Sequence, residues 1–509
     1  MSTISNKRIL KNTLMLYVRM ILVMGITLFT SRVILENLGV EDYGIYNVVG
    51  GVIVMMSFFN STLSSTCQRY FSSDLGLEDN VKLNRDFCLT MSLYLCFILL
   101  VLIVGETVGL WFVNNKLVIP DNRMFAANCV YQISLLTFIA SSISIPYNAL
   151  VVSHEHMSFY AYLSVIECFL KLAIAFLLAY YSGDRLIYYA LLMFVTSLLV
   201  TVLYYLFCKK KYRYIRFKFI WDKNEIKEIS SYSGWHLIGA ISVLVRNQGV
   251  NILLNTFFNP AINAARAISF QVLTATDSLN SNFFTAVKPQ IYKSYSSNDM
   301  MGMHKLIKHS SVICFFLISV LAVPLVTNTD FVLNIWLKNV PEHTVLFTQL
   351  VLINAIIESI NGPSIAAALA TGTIRKFEII TGFLMLLNLP ISWVLLKMGF
   401  EPEITMVVSI VIAIVTVIIR AYIIEDLIKY RAKDYFIKVV LPIVIISIIV
   451  LFTTYYLSGA MLEGWVRLLI TILYSTVLLV ILTFFMCFSK SERLGMINLV
   501  KSRIYGRKQ

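Results

Sequence analysis

Long apolar runs separated by short polar stretches make up almost the whole chain. Fourteen can be drawn, at approximately 12–34, 44–64, 87–109, 124–146, 158–181, 186–208, 231–256, 262–287, 310–334, 345–371, 378–398, 403–424, 438–458 and 465–488. An α-helix needs about 20 apolar residues to cross the hydrocarbon, whereas a barrel strand needs only about 9 to 11. Lipid cannot satisfy exposed backbone groups, so helices are required. The pattern predicts an all-α, polytopic membrane protein with about 14 transmembrane helices.

Composition supports this prediction. The 509 residues are 58% hydrophobic and only 14% charged, with a mean hydropathy of +0.78. None of the 21 glycines precedes a lysine, so the sequence contains no Walker A loop for ATP. All eight cysteines fall in or beside the apolar runs without a CxxC spacing, which favours packing over disulfides or zinc. We expect neither a cofactor nor a metal ion.

Basic residues are distributed unevenly among the connecting loops. Lys and Arg number 42 against 28 Asp and Glu, which gives a formal charge of +14. Loops on one side contain 29 of the basic residues, and loops on the other contain four, Lys116, Arg123, Arg185 and Lys338. The positive-inside rule then predicts that both termini are cytoplasmic. Basic segments at 209–218 and in the C-terminal tail predict contacts with anionic membrane lipids rather than nucleic acid.

The loops are too short to contain a catalytic domain. The longest connection, 209–230, has 22 residues, and the longest outer loop spans 110–123. A folded domain needs at least about 50 residues. We therefore expect that the protein is not an enzyme.

A weak internal repeat divides the chain. A shift of 220 residues aligns the first helix pair with the seventh and eighth, so that Asn60-Ser61 falls on Asn280-Ser281. Both second helices are unusually polar, and parallel repeats of this kind are a familiar transporter plan. We predict an N-terminal lobe of six helices at 1–208, a basic linker at 209–230, a C-terminal lobe of six helices at 231–424, two extra helices at 438–488 and a basic tail at 489–509.

Three short segments carry a resemblance to a known family. They are the basic amphipathic stretch Lys7–Thr13, the turn Leu38-Gly39-x3-Tyr43-Gly44 and the sequence Gln68-Arg69-Tyr70-Phe71. The chain resembles the polysaccharide exporters of the multidrug/oligosaccharidyl-lipid/polysaccharide superfamily, above all the Wzx-type O-antigen and capsule flippases. The resemblance implies two six-helix lobes around a V-shaped cavity that opens alternately to either side. It also implies transport of undecaprenyl-diphosphate-linked oligosaccharide across a bacterial inner membrane, with the extra helices bordering the lipid tail.

Charged residues deep in a helix of this kind are costly, at about 2.5 to 3.5 kcal/mol each on insertion scales, and so they mark candidate sites. Arg246 lies far inside the seventh predicted helix, beside Asn247, Asn251 and Asn255. A guanidinium can bind a diphosphate bidentately, and amides suit sugar hydroxyls. We interpret these four residues as substrate-binding; the alternative is a hydrogen-bonded seam between helices.

Two further groups are candidate substrate contacts. Arg266, Asp277 and Asn280 share one face of the eighth predicted helix and line a cavity or else pair with one another. Arg19 and Arg69 lie near the cytoplasmic ends of the first two helices, where they either reach the interface or meet the diphosphate.

Acidic residues suggest how transport could be driven by H+ or Na+. Glu167 and Lys171 are spaced i, i+4, which suits either a structural ion pair or a switch that binds the coupling ion. Glu358 precedes Asn361-Gly362-Pro363, where glycine and proline should break the helix and expose backbone carbonyl groups. Glu358 is therefore the second candidate for ion coupling; a paired acid at a kink is the alternative.

Together these features favour a flippase for lipid-linked oligosaccharide. A cation-coupled exporter of drugs is the first alternative, although its cavity should contain acids rather than several arginines. The second alternative is a membrane glycan polymerase or ligase. Such an enzyme should have a sizeable outer loop, whereas the longest outer loop here spans only 110–123.

Overall fold

The computed structural model describes residues 3–54, 57–115, 117, 119–258, 260–337 and 340–495, and the statements below concern these residues. Helices make up nearly all of them, and none of them lies in a β-strand. The predicted all-α fold is therefore confirmed. Lys116, Lys338 and the part of the predicted tail from residue 496 onward lie outside the described residues, as do the side chains of the basic stretch Lys7–Lys11.

The chain forms two compact units. The first unit extends to Ala240 and also includes Tyr292–Asn298. Its helices are α1 (Thr3–Val54), α2 (Ser57–Gly76), α3 (Asn80–Val104), α4 (Leu110–Asn115), α5 (Met124–Ser153), α6 (Met157–Tyr180), α7 (Arg185–Lys211) and the first half of α8 (Lys223–Phe257). A π-helical turn, Gly105–Gly109, joins α3 to α4, and a 3₁₀ turn, Asp121–Arg123, precedes α5.

Local sequence explains where these helices begin and bend. The carboxylate of Asp79 accepts hydrogen bonds from the backbone N–H groups of Val81 and Lys82, at 3.1 and 2.9 Å, and so caps α3. Asp184 caps α7 in the same way. Helix α1 breaks at Gly39, whose φ of 79° is readily adopted only by glycine. This break falls in the turn predicted between the first two apolar runs.

The second unit comprises Ile241–Ile291 and the chain from Asp299 onward. It contains the second half of α8 and most of α9 (Pro260–Ser296). Its other helices are α10 (Met300–Thr327), α11 (Thr329–Trp336), α12 (Thr344–Glu358), α13 (Asn361–Ala370), α14 (Arg375–Leu386), α15 (Asn388–Lys397), α16 (Ile404–Ile428), α17 (Ala432–Tyr435), α18 (Leu441–Gly459) and α19 (Trp465–Met486). A π-helical turn, Phe436–Val440, joins α17 to α18.

One predicted helix of the second unit is bent in the middle. Helices α12 and α13 meet at an angle of 44°, with Ser359 and Ile360 between them. The carbonyl oxygen of Ile360 accepts hydrogen bonds from the hydroxyls of Ser311, at 3.1 Å, and Tyr435, at 3.2 Å. The break predicted from Asn361-Gly362-Pro363 is therefore present, and the two hydroxyls connect it to α10 and α17.

Eleven helices are long and apolar enough to cross a membrane, or twelve if the bent pair counts as one span. The chain is therefore a multi-pass membrane protein. Two predicted runs, 44–64 and 262–287, are not among these helices. Both are helical in the described residues, and both are the unusually polar helices noted in the sequence. For these two runs, and so for the total of fourteen, membrane crossing stays a prediction.

Candidate substrate-binding site

Three arginines from three helices of the second unit interact with one another and with two glutamates. Arg246 is on α8, Arg266 on α9 and Arg420 on α16. Arg246 interacts electrostatically with Glu358 at the end of α12 and with both other arginines, and Arg420 interacts with Glu358 and with Glu378 on α14. This group, the arginine cluster, therefore has one more positive than negative formal charge. An excess of buried positive charge needs an anion to balance it.

Arg420 is the most deeply buried member of the arginine cluster, with 3% of its surface exposed. One guanidinium nitrogen, Nη1, lies 3.7 Å from Oε2 of Glu358, which is ion-pair distance but beyond a normal hydrogen bond. Nε and Nη1 have no hydrogen-bond acceptor among the described residues. Glu358 itself accepts a hydrogen bond of 2.8 Å from the amide of Asn361. The buried guanidinium is thus only partly satisfied.

Arg266 is also buried, at 5% exposure. It donates a hydrogen bond from Nη1 to the amide oxygen of Asn251, one turn and a half along α8 from Arg246. Its guanidinium carbon lies 4.4 Å from the centre of the Phe270 ring, a cation–π distance. Its Nε atom has no acceptor within the described part of the chain.

Arg246 is half-buried and forms no hydrogen bond or salt bridge with any described residue. Of the three asparagines predicted beside it, Asn251 belongs to the site through Arg266, Asn247 is half-buried and Asn255 is exposed. Arg246 is therefore the member whose guanidinium donors are most available to a ligand.

The polar residues farther along α9 pair with each other. The amide of Asn280 donates a hydrogen bond of 3.0 Å to the carboxylate of Asp277, three residues earlier. Asp277 also interacts electrostatically with Cys314 on α10. The two side chains therefore pair with each other along one face of α9.

The arginines of the first unit lie over aromatic rings. The guanidinium of Arg19 is 4.7 Å from the ring centre of Tyr160 on α6. That of Arg69 is 4.4 Å from the ring of Tyr70 and 5.0 Å from the ring of Tyr232. These rings hold each cation without neutralising it.

The predicted ion pair on α6 is present. Nζ of Lys171 lies 2.6 Å from Oε1 of Glu167, and the two side chains are 38% and 37% exposed. The half-exposed pair has the geometry of an ordinary helix-surface salt bridge.

Arg420 is a candidate residue that the sequence did not single out. It lies near one end of its apolar run, in the segment VIIRAYIIED, where an arginine can reach the membrane interface. One feature of the sequence pointed to Arg420. It lies within an apolar run, eight residues before the end of α16.

Solved structures with the same fold are membrane transporters. An outward-facing multidrug resistance MATE family transporter of the MOP superfamily has a TM-score of 0.69 at 12% identity, over 82% of this chain and 96% of its own. MATE in the straight conformation has a TM-score of 0.71 at 12% identity, over 84% and 97%. A MOP superfamily transporter from Pyrococcus furiosus, whose binding pocket is described as having reverse polarity, has a TM-score of 0.66 at 13% identity, over 82% and 96%.

The chain thus has the fold of the MATE transporters of the MOP superfamily. Over residues 9–294 the chain matches the polysaccharide biosynthesis protein family, which covers more than half of its length, and it belongs to that family. None of the curated proteins matches it in sequence. The predicted resemblance to polysaccharide exporters is confirmed at this level.

Proposed function

We propose that the protein is a flippase that moves an oligosaccharide linked to a polyprenyl diphosphate from the cytoplasmic to the outer leaflet of a bacterial inner membrane. The product would serve the synthesis of a surface polysaccharide such as O-antigen or capsule. The proposal depends mainly on the arginine cluster, in which three guanidinium groups outnumber the two carboxylates of Glu358 and Glu378. Both chain termini are cytoplasmic in this proposal, in keeping with the distribution of basic residues.

The arginine cluster has the chemistry that a diphosphate requires. A diphosphate offers several charged oxygens on two adjacent centres, and planar guanidinium forks bind such groups through paired hydrogen bonds. The donors left without acceptors on Arg266 and Arg420, together with the whole guanidinium of Arg246, match that need. In surroundings of low polarity each such bond is stronger than in water. Asn247 and Asn251 would contact the first sugar, and Asp277 and Asn280 the more distant ones.

An apolar groove beside the cluster suits the lipid tail. It has a volume of about 440 Å³ and runs between α12, α16 and α18. Its lining is almost wholly aliphatic and includes Ile357, Ile360, Val417, Ile418, Val440 and Ile443. Ile357 and Ile360 flank Glu358, and Val417 is three residues from Arg420. An isoprenoid chain in the groove would therefore reach a head group held by the arginines.

Glu358 is the proposed coupling residue. In the structure its carboxylate is the counter-ion of Arg420. Protonation would remove that counter-charge, and an incoming diphosphate would replace it. An ion gradient can drive alternating access only if the ion binds the two states with different affinity, and competition for Arg420 supplies such a difference. Glu167 and Lys171 are the second candidates for this role, and Arg19 and Arg69 would meet the diphosphate on the cytoplasmic side.

The direct test is Arg246→Ala, which removes the least satisfied guanidinium. We expect surface polysaccharide to be lost while lipid-linked oligosaccharide accumulates in the inner leaflet, with the protein inserted in the membrane at normal levels. Arg32→Ala is the matched control, because Arg32 is exposed and pairs with Glu36 one turn away on α1. Normal export by the Arg246→Ala protein would refute the proposed function.

A drug exporter of the same fold makes the opposite prediction. Three arginines and two glutamates leave a net positive charge, which repels the cationic drugs that such an exporter carries. Cells that lack the protein should keep their resistance to cationic drugs and lose surface glycan. The reverse pattern would favour the drug exporter.

A further inference from the structure

A histidine and two glutamates of the second unit meet where two neighbouring helices begin. His343 immediately precedes α12, and Glu401 and Glu403 lie in the loop that leads into α16. Nδ1 of His343 is 2.5 Å from Oε1 of Glu403. One ligand atom from each of the three residues lies within 4.8 Å of the other two.

We propose that His343, Glu401 and Glu403 bind a divalent metal ion, with Zn²⁺ as the expected occupant. Imidazole and carboxylate ligands together suit Zn²⁺, whereas an all-oxygen set would suit Ca²⁺ or Mg²⁺. Three protein ligands and one water complete a tetrahedral site. The sequence led us to expect no metal ion, and it gives no local signal for this site, since His343 is separated from the two glutamates by 58 and 60 positions along the chain.

Distances in the cluster are close to those of a bound site. Ligand atoms around a tetrahedral zinc ion at about 2.1 Å lie about 3.4 Å apart. The hydrogen bond between His343 and Glu403 would therefore open by about 1 Å as the metal replaces its proton. Glu403 is buried and its carboxylate already contacts the ring of His343. Glu401 is exposed, and its side chain can rotate toward the ion without moving the backbone.

The charge of the cluster favours a cation. Within the described residues, neither Glu401 nor Glu403 forms a salt bridge with a lysine or an arginine. Two carboxylates that share one imidazole carry an excess of negative charge, which a divalent ion would cancel. His343 also has a φ of 67°, a left-handed conformation that costs free energy for a residue with a side chain. A metal bond would offset that cost.

The site would join the two helices that carry the ion pair of the arginine cluster. Helix α12 begins after His343 and ends at Glu358, and α16 begins after Glu403 and contains Arg420. A metal ion at their starting ends would hold α12 and α16 together some 20 Å from the ion pair, given a rise of about 1.5 Å per residue. The inference does not depend on the identity of the transported substrate.

Binding can be measured on the full-length protein in detergent. The protein is treated with a chelator, freed of it by gel filtration, and titrated with Zn²⁺ in competition with a chromogenic zinc indicator. We expect one Zn²⁺ per chain and a rise in melting temperature on binding. His343→Ala and Glu401→Gln should each weaken Zn²⁺ binding at least tenfold. Glu342→Gln, which removes the same charge from an exposed neighbour of His343, should leave it unchanged.

Cobalt substitution distinguishes this site from cysteine ligation. Co²⁺ bound by His343 and the glutamates should show visible d–d bands without a sulfur charge-transfer band, and these bands should disappear in His343→Ala. A charge-transfer band, or equal Zn²⁺ affinity in wild type, His343→Ala and Glu401→Gln, would overturn the proposal. Because Glu401 is exposed, its variant should fold even if the loss of His343 disturbs the start of α12. Preference for Ca²⁺ over Zn²⁺ would likewise overturn the proposed occupant.

Discussion

In the first unit, Arg19 and Arg69 are held against tyrosine rings, whereas in the second unit Arg246 and Arg420 interact with the carboxylate of Glu358. A ring attracts a cation through its quadrupole and leaves the positive charge in place. A carboxylate cancels one positive charge. It must be protonated or displaced before an anionic ligand can take its place beside the arginine. The first arrangement offers a constant attraction for anions, and the second offers a site whose charge can change.

Removal of the carboxylate should have the largest effect on stability. Glu358→Gln removes the carboxylate that interacts with both Arg246 and Arg420, and breaking a buried pair costs about 3 kcal/mol of unfolding free energy. Because Glu358 is partly exposed, this is an upper value. The melting temperature in detergent measures it. The double variant Glu358→Gln with Arg420→Met should recover much of the loss, because it also removes the orphaned charge. An unchanged melting temperature in the single variant would contradict the role assigned to Glu358.

Removal of a ring from the first unit should cost less. Tyr160→Leu takes away the aromatic face over which Arg19 lies, and a cation–π contact is worth about 0.5 to 2 kcal/mol. We expect a lower melting temperature with a smaller shift than for Glu358→Gln. Tyr160→Phe is the matched control, since it keeps the quadrupole and should be close to wild type. If Phe and Leu were equally harmful, the hydroxyl rather than the ring would hold the arginine.

Acidification should affect the two units in different pH ranges. Burial lowers the pKa of His154, in the loop after α5, to about 4. The unfolded chain takes up this proton near pH 6.5, so local stability falls as the pH drops from about 6.5 to 4. In the second unit, burial opposes ionisation of Glu492, but the backbone N–H of Ser489 and the ring of His309 lower its pKa to about 2. Its contribution is complete above pH 4.5 and is lost only as the pH falls toward 2.

Hydrogen exchange followed by mass spectrometry can separate the two ranges. Peptides that contain His154 should lose protection between pH 6.5 and 4, whereas those that contain Glu492 should lose part of theirs in that range, through the partly buried ring of His309, and the rest only as the pH falls toward 2. His154→Gln should abolish the first transition. Simultaneous loss of all protection in both regions would show that the units do not differ in this respect.

Much of the fold could be predicted from periodicity, because lipid restricts each apolar run to a helix. The bend before Asn361 followed from the backbone chemistry of glycine and proline, and Arg246 and Arg266 were singled out by depth alone. Arg420 was missed, since its burial comes from the packing of α16 against α12, which no local pattern reports. The rings over Arg19 and Arg69 were missed for the same reason, because Tyr160 and Tyr232 are far away in the sequence. Asp277 and Asn280 form a local pair that the sequence spacing allowed.

The two hydroxyls on the Ile360 carbonyl make the elbow between α12 and α13 a fixed joint. Ser311 and Tyr435 come from different helices, and straightening the elbow would cost both of their hydrogen bonds at once. Glu358, two residues before Ile360, is thus held in a rigid segment. A conformational change that separates Glu358 from Arg420 must therefore move whole helices rather than bend the chain locally.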